Sequence, residues 1–222
     1  NRSEALLERV KYGYENLPQW FLAEVRPKLR YSSKYDLTFG HNNSSLTITS
    51  VDAKEPARGG TYQVVLMSEA GFYEAAAKAS IEGLTRSVFG SVPSSPRSAV
   101  IVESTGNGPA GWFYSRYKSA KQSLRWRAAF APWFVHEEYT ARDANGDPVK
   151  VTKEDLGDIS EYEEWMMSLG ATPGNVAWHR EKLEDLDGDL NRWMVEFPST
   201  EDEAFRSVES TLVEPMMVQE RL

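Results

Sequence analysis

Apolar residues at Leu6, Leu7, Val10 and Tyr14 recur at helical spacing and predict an amphipathic helix over 4–15, with Ser3 as its N-cap and Leu17-Pro18 as its end. A second short helix is expected over 19–25, because the residue before Pro27 is pushed out of the α region. Residues 35–39 and 45–50 read as two short strands, with His41-Asn42-Asn43 turning between them. The runs at 62–67 and 98–103 are different in kind, being compact, apolar and β-branched. Continuous apolarity of this sort is what strands buried on both faces of a helix-covered parallel sheet require. Between them, 72–86 predicts one helix with Ala75, Ala76, Ala79, Ile81 and Leu84 on its packing face. With a helix over 111–121 and a strand over 125–130, the order of elements is that of an α/β fold.

The polar stretch 138–158 contains Asn145-Gly146-Asp147-Pro148, a strong turn signal, and is the expected boundary between a region 1–137 and a region 159–222. Beyond it, 160–169 and 173–186 read as helices, the second with Thr172 as N-cap and Pro173 in the first helical position. A last helix over 200–207 carries a capping-box pattern running from Ser199 or Thr200 to Asp202 or Glu203. The end of the chain is thus expected to be a small helical appendage on an α/β core.

Composition narrows the function classes. The 222 residues are 41% hydrophobic and 12% aromatic, enough for a packed core in one large domain or two small ones. No apolar run approaches the roughly 18 residues of a membrane-spanning helix, and no membrane association is expected. Cysteine is absent, which excludes disulfides, zinc-thiolate sites and thiol catalysis. The balance of 25 Lys+Arg against 33 Asp+Glu, net charge -8, argues against a surface that coats itself in nucleic acid. A local basic path remains: Arg116, Lys118, Lys121, Arg125 and Arg127 contain no acid among them and are interleaved with Tyr114, Tyr117 and Trp126. That stretch is either a solvated helix face or a DNA-proximal surface.

In an open parallel sheet ligands sit at the carboxyl ends of the strands, and both apolar runs end in chemistry. The first delivers Ser68-Glu69, a carboxylate that can polarise a water or hold Mg²⁺ through water, or simply cap the following helix. The second delivers Glu103-Ser104-Thr105-Gly106-Asn107-Gly108, small hydroxyl, amide and glycine residues suited to a mobile phosphate-sensing loop or to a plain turn. Arg58, in Ala57-Arg58-Gly59-Gly60, is placed to reach a phosphate bidentately from a flexible loop. His41, His136 and His179 are scattered without metal spacing, and Asp185, Asp187 and Asp189 lack the rest of a calcium-loop pattern, so no metal site is expected. These 222 residues contain no Gly-x-x-x-x-Gly-Lys-Ser/Thr phosphate cradle.

Taken in order, Ala57-Arg58-Gly59, Val65-Leu66-Met67-Ser68-Glu69, Glu103-Ser104-Thr105-Gly106-Asn107-Gly108, Gly111-Trp112-Phe113-Tyr114, Phe130-Ala131-Pro132-Trp133 and the run from Glu196-Phe197-Pro198-Ser199-Thr200 to Ala204-Phe205 resemble the large terminase subunit of tailed bacteriophages. The resemblance implies an ATP-driven, DNA-packaging motor: the back part of a P-loop NTPase-like, mostly parallel sheet with flanking helices, followed by a small helical lid. It implies Glu69 as the catalytic glutamate that orients the attacking water, Ser68 beside the nucleotide and Mg²⁺ where the family usually has Asp, and Arg58 as an arginine reaching a neighbouring subunit's nucleotide. Ser104, Thr105, Gly106 and Asn107 would form the coupling motif. The implied cofactors are ATP and Mg²⁺ in the full-length protein, with none held tightly by this chain. The implied partners are double-stranded DNA, a portal protein and a small terminase subunit, in a homo-oligomeric ring, with the isolated chain a monomer.

The implied location is the cytoplasm of an infected or lysogenic bacterial host. Since Asn1 is not Met, the chain is expected to be cut from a longer protein, with a Walker A loop before it and nuclease carboxylates after about Val213. The isolated chain is accordingly expected to show neither ATPase nor nuclease activity. Two alternatives stay open: a catalytically inactive α/β interaction module of a prophage or helicase-like protein, and a stand-alone hydrolase pairing Glu69 with Glu103.

Overall fold

A computed structural model describes residues 2–18, 20, 28–40, 43–52, 57, 59–76 and 80–207. It is a mixed α/β structure with eight α-helices and two small sheets among these residues, one of the sheets a parallel pair. Two compact units are formed, Asn1–Met67 with Tyr73–Ile101, and Ser68–Phe72 with Val102–Leu222. The expected boundary at 138–158 therefore falls inside the second unit.

In the first unit, α1 (Arg2–Glu15) begins before Ser3, which lies within the first turn and not ahead of it. Leu7 is its buried residue, Tyr14 meets Phe39 with ring centroids 6.0 Å apart, and the Lys11 ammonium donates to the Ser33 carbonyl at 3.0 Å. The expected hairpin is present as β2 (Asp36–Phe39) and β3 (Ser45–Thr47), antiparallel, and β1 (Leu29–Ser32) extends it to three strands. Of the expected helix over 19–25, all but Trp20 lies outside the described residues.

The apolar runs form β4 (Val64–Met67) and β5 (Ala99–Val102), which pair with each other. Their burial is a correction to the expectation: Met67 is buried, but Val64, Leu66 and Ile101 are half or more exposed, because a two-stranded sheet leaves a face without cover. The single helix expected over 72–86 is likewise divided. A 3₁₀ turn (Ala70–Phe72) leads into α2 (Tyr73–Ala76), and α3 (Ile81–Gly90) starts afresh at Ser80, whose extended backbone (ψ 145°) and Oγ cap the Gly83 N–H at 3.2 Å. Leu84, Thr85 and Val88 are the buried residues of α3, and Ala79 lies outside the described residues.

In the second unit α4 spans Gly111–Ala120 as expected. The strand expected over 125–130 does not form. The Ser123 Oγ takes the N–H groups of Arg125 (3.1 Å) and Trp126 (3.0 Å), and no ladder partner pairs with 125–130 among the described residues. Residues 138–158 form an ordered loop: Arg142 donates to the carbonyls of Gly146 (2.7 Å) and Glu137 (3.1 Å), and Asn175 donates to the Tyr139 carbonyl at 2.6 Å.

Helices α5 (Glu161–Ser168), α6 (Pro173–Asp185), α7 (Leu190–Glu196) and α8 (Glu201–Ala204) complete the unit; α7 had no counterpart in the pattern reading. Capping boxes start α5 at Ser160 and Glu163, and α6 at Thr172 and Asn175. Asp189 caps α7 by accepting from the Arg192 N–H at 3.1 Å, and Asp185 pairs with Lys182 at 2.7 Å, so two of the three alternating aspartates serve helix ends.

The core of this unit is aromatic. Trp133, Met166, Ala171 and Trp193 are buried together, with Tyr139, Trp178 and Phe197 packed against them. Trp193 meets Trp133 edge-on at 5.2 Å and stacks on Phe197 at 4.6 Å. Beside this core, Arg180 binds both carboxylate oxygens of Glu163 (2.7 and 3.1 Å) and the carbonyls of Leu156 and Asp158 (both 2.6 Å). Burial pushes the Glu163 carboxyl up, but Arg180 and the Ser160 bonds outweigh it and hold the group at about 2, down from 4.5.

His179, only 2% exposed, lies 4.3 Å from Trp193 between ring centroids. Burial lowers its pKa from 6.5 to about 4, with Glu163 opposing and Arg180 adding to the shift. A histidine depressed in the folded state takes its proton first in the unfolded chain, so stability is full above pH 6.5 and falls as the pH drops toward 4. Urea-unfolding midpoints should decline across that window, and His179→Gln should flatten the decline; an unchanged slope in the variant would refute the assignment.

Candidate functional site

Strand β4 ends at buried Met67 and delivers Ser68 and Glu69, both exposed. Glu69 is held at φ 59°, in the left-handed region that a residue with a Cβ rarely enters. The turn containing it is fixed from the loop that follows β5. The Ala70 N–H donates to the Glu103 carbonyl at 3.1 Å, the Gly71 N–H to the Ser104 Oγ at 3.0 Å, and the Asn107 Nδ2 donates to the Gly71 carbonyl at 2.9 Å. Both backbone groups of Gly71 are thus taken by side chains of one loop. A Cβ at residue 71 would sit 2.9 Å from the Ser104 Oγ, which explains the glycine by closeness of approach.

That loop is braced in turn on its far side. Gly106 abuts the backbone of Ala204 so closely that an added Cβ would land on the Ala204 carbonyl oxygen. Ala204 belongs to the short α8, where the buried Glu203 carboxylate accepts from the Ser199 N–H (2.6 Å) and from the Tyr162 hydroxyl (3.0 Å). Burial raises the Glu203 pKa, and the bonds from Ser199 and Tyr162 and the charge of Arg206 offset only part of that rise. Phe205 packs among the rings of Phe113 (6.0 Å), Tyr114 (5.0 Å) and Tyr117 (5.4 Å) on α4.

The structure therefore brings Ser68, Glu69, Ser104, Gly106 and Asn107 into one assembly, while Thr105 and Glu103 contribute main-chain carbonyls near Gly71. Arg58 lies outside the described residues. The basic stretch is partly consumed within the fold. The Arg116 guanidinium lies over the Trp126 ring at 4.4 Å, the Lys118 ammonium over Tyr114 at 5.6 Å, and Lys121 pairs with Glu201, which also accepts from the Tyr117 hydroxyl at 2.7 Å. Burial and then the neighbouring Arg125 pull the Arg116 pKa below its ordinary value. Burial pushes the Glu201 carboxyl up, but Lys121 and Tyr117 hold it below the usual range. Arg125 and Arg127 are exposed.

Sequence reasoning missed Gly71, Ala204, Glu203 and Phe205 as neighbours of the loop. Their one local signal was the run of caps at 199–203, which announces a helix start and not the residue it touches.

A concavity of about 570 Å³ lies elsewhere, between the Asp158–Ser160 loop, His179 and Arg180 of α6, and Leu190. Its cation is already bound to Glu163 and its imidazole is held neutral by burial. No group of three or more His, Asp or Glu suited to a metal ion occurs among the described residues, and no described helix is long and apolar enough to cross a membrane. No protein-family model matches this sequence, and comparison with curated proteins gives no match.

The left-handed Glu69 has an energetic signature. Glycine enters this region freely, so Glu69→Gly should stabilise the chain by about 1 kcal/mol, whereas Glu69→Ala should not. Chemical denaturation of the two variants beside the parent checks this, and a Glu69→Gly protein less stable than the Ala variant would contradict it.

Proposed function

We propose that this chain is the water-orienting part of an ATP-hydrolysing DNA-packaging motor, the large subunit of a phage or prophage terminase. The observation that carries the reading is Glu69: a carboxylate in a strained backbone conformation, directly after an apolar strand, with its turn pinned by Ser104 and Asn107 from the loop after the paired strand. Strained non-glycine residues persist where the surroundings over-determine them, which is the condition of a pre-organised catalytic group. The site also lies at the carboxyl ends of a parallel pair, where open α/β sheets place their ligands.

The half-exposed apolar residues of β4 and β5 support the finer fold reading, since Val64, Leu66 and Ile101 suit a pair that continues into a larger P-loop NTPase-like sheet. The residues described fit Mg²⁺–ATP only in part. Ser68 and Glu69 supply a hydroxyl and a carboxylate able to orient a water or contact a hydrated cation, but the backbone cradle for a triphosphate is lacking in this sequence. No phosphate or metal contact is therefore assigned to them. In this reading Arg58 reaches the nucleotide of an adjacent subunit in a ring, and the partners are double-stranded DNA, a portal protein and a small terminase subunit, in the cytoplasm of the bacterial host.

In the full-length protein, Glu69→Gln should abolish ATP turnover while nucleotide binding persists, and Arg58→Ala should reduce turnover only in assembled rings. Radiolabelled or coupled phosphate-release assays beside nucleotide-binding titrations decide the matter. Retained turnover in Glu69→Gln would remove the catalytic assignment of Glu69, and absence of turnover in the parent full-length protein would favour the non-catalytic interaction module. Of the basic stretch, Arg125 and Arg127 are exposed, while Lys118 lies over Tyr114 and acts on Glu201 through its charge; reversing the charges of Lys118, Arg125 and Arg127 should weaken duplex DNA binding and flatten its salt dependence. Unchanged affinity would remove DNA contact from this stretch.

A further inference from the structure

The loop that pins the Glu69 turn has nothing of its own to hold it. Residues 103–110 form no helix or strand, and Gly108 and Gly111 adopt positive φ (77° and 87°), so the segment gains no rigidity from backbone ladders. Yet three of its groups must stay in register for the Ala70 and Gly71 contacts to persist: the Glu103 carbonyl, the Ser104 hydroxyl and the Asn107 amide. It also abuts Ala204, where glycine at 106 lets two backbones meet.

Ala204 is itself immobilised from both flanks. On one side, Glu203 is tied to Ser199 and Tyr162, and the Ser199 Oγ accepts from the Trp133 indole at 3.1 Å, which joins the segment to the aromatic core. On the other, Phe205 is buried among three rings of α4, and Glu201 binds Tyr117 of the same helix and Lys121, its C-cap residue.

We propose that the 199–205 segment is a positioning element for Glu69, with Phe205 and the Ala204 backbone as its working parts. It acts through Gly106 on the Ser104 and Asn107 contacts to Gly71. Phe205 touches neither a substrate nor Glu69; it fixes Ala204 against the loop, and the loop fixes the turn. The mechanical link stands on the distances alone, while its catalytic meaning rests on the reading of Glu69 given above.

Amide hydrogen exchange by NMR on the 222-residue chain tests the link without any nucleotide. In Phe205→Ala, and in Gly106→Ala, whose new methyl pushes the loop off Ala204, the Ala70 and Gly71 amides should exchange about tenfold faster. The Val176 and Trp193 amides, bonded to the carbonyls of their own helices' N-cap residues Thr172 and Asp189, should stay within about twofold of the parent in at least one of the two variants. Ser104→Ala, which deletes the acceptor directly, calibrates the Gly71 response.

Unchanged exchange at Ala70 and Gly71 in both variants would overturn the proposal. So would acceleration shared equally by the Val176 and Trp193 amides in both, because that reports global opening. In the full-length protein, Phe205→Ala should lower kcat for ATP with KM nearly unchanged, since a positioning loss spares ground-state binding. Fast local exchange with an unaltered kcat would leave the mechanical link standing and overturn the positioning role in catalysis, whereas the reading of Glu69 itself falls only if Glu69→Gln retains turnover, so the two failures are distinguishable.

Discussion

The second unit depends on one buried carboxylate. Glu203 receives the Ser199 N–H and the Tyr162 hydroxyl in a site only 4% exposed, and burial alone would make such a group costly. Because both bonds are made, the cost becomes a constraint: the chain after α7 has one path on which Glu203 is satisfied. That path sets Ser199 under the Trp133 indole, Ala204 against Gly106, and Phe205 among the rings of α4. Hydrogen bonds to a charged, buried acceptor contribute on the order of 1.5–3 kcal/mol each, so the segment is held by groups whose loss the fold would feel.

From that anchor the order of support runs toward the surface. The aromatic core of Trp133, Trp178, Trp193 and Phe197 is rigid because its rings interlock edge to face and by stacking. The 199–205 segment borrows that rigidity, the 103–107 loop borrows it from the segment, and the turn of Glu69 borrows it from the loop. An exposed carboxylate can then be kept in a left-handed conformation that its own turn would not choose. Arg180 and Glu163 play the corresponding part at the start of α5, where a bidentate pair and two carbonyls close the loop before the helix.

The basic stretch on and after α4 shows how charge is divided between fold and surface. Arg116 and Lys118 lie over aromatic rings and Lys121 binds Glu201, so these cations stabilise the packing of α4 before any ligand is considered. Arg125 and Arg127 remain turned to water. A count of positive residues in the sequence treats all five alike, whereas the fold leaves fewer of them free for a polyanion.

The sequence by itself determined what is local. Capping at Ser160, Thr172 and Thr200 follows from side chains that reach only three residues ahead, and the apolar runs of β4 and β5 follow from their β-branched composition. The same local logic made Ser68-Glu69 and Ser104-Thr105-Gly106-Asn107 stand out as chemistry at strand ends. Tertiary structure decided the rest. Whether 125–130 became a strand depended on a partner that local pattern does not supply, and the break at Ser80 on a hydroxyl competing with helix continuation.

The half-exposure of Val64, Leu66 and Ile101 depended on what covers the sheet, which composition does not encode. Above all, Gly71 meets Ser104 and Asn107 across 33 and 36 residues of chain, and Gly106 meets Ala204 across a longer span still. Periodicity reads which face a residue presents, but contacts at such separation are fixed only when the whole core closes and each buried polar group has found its partner.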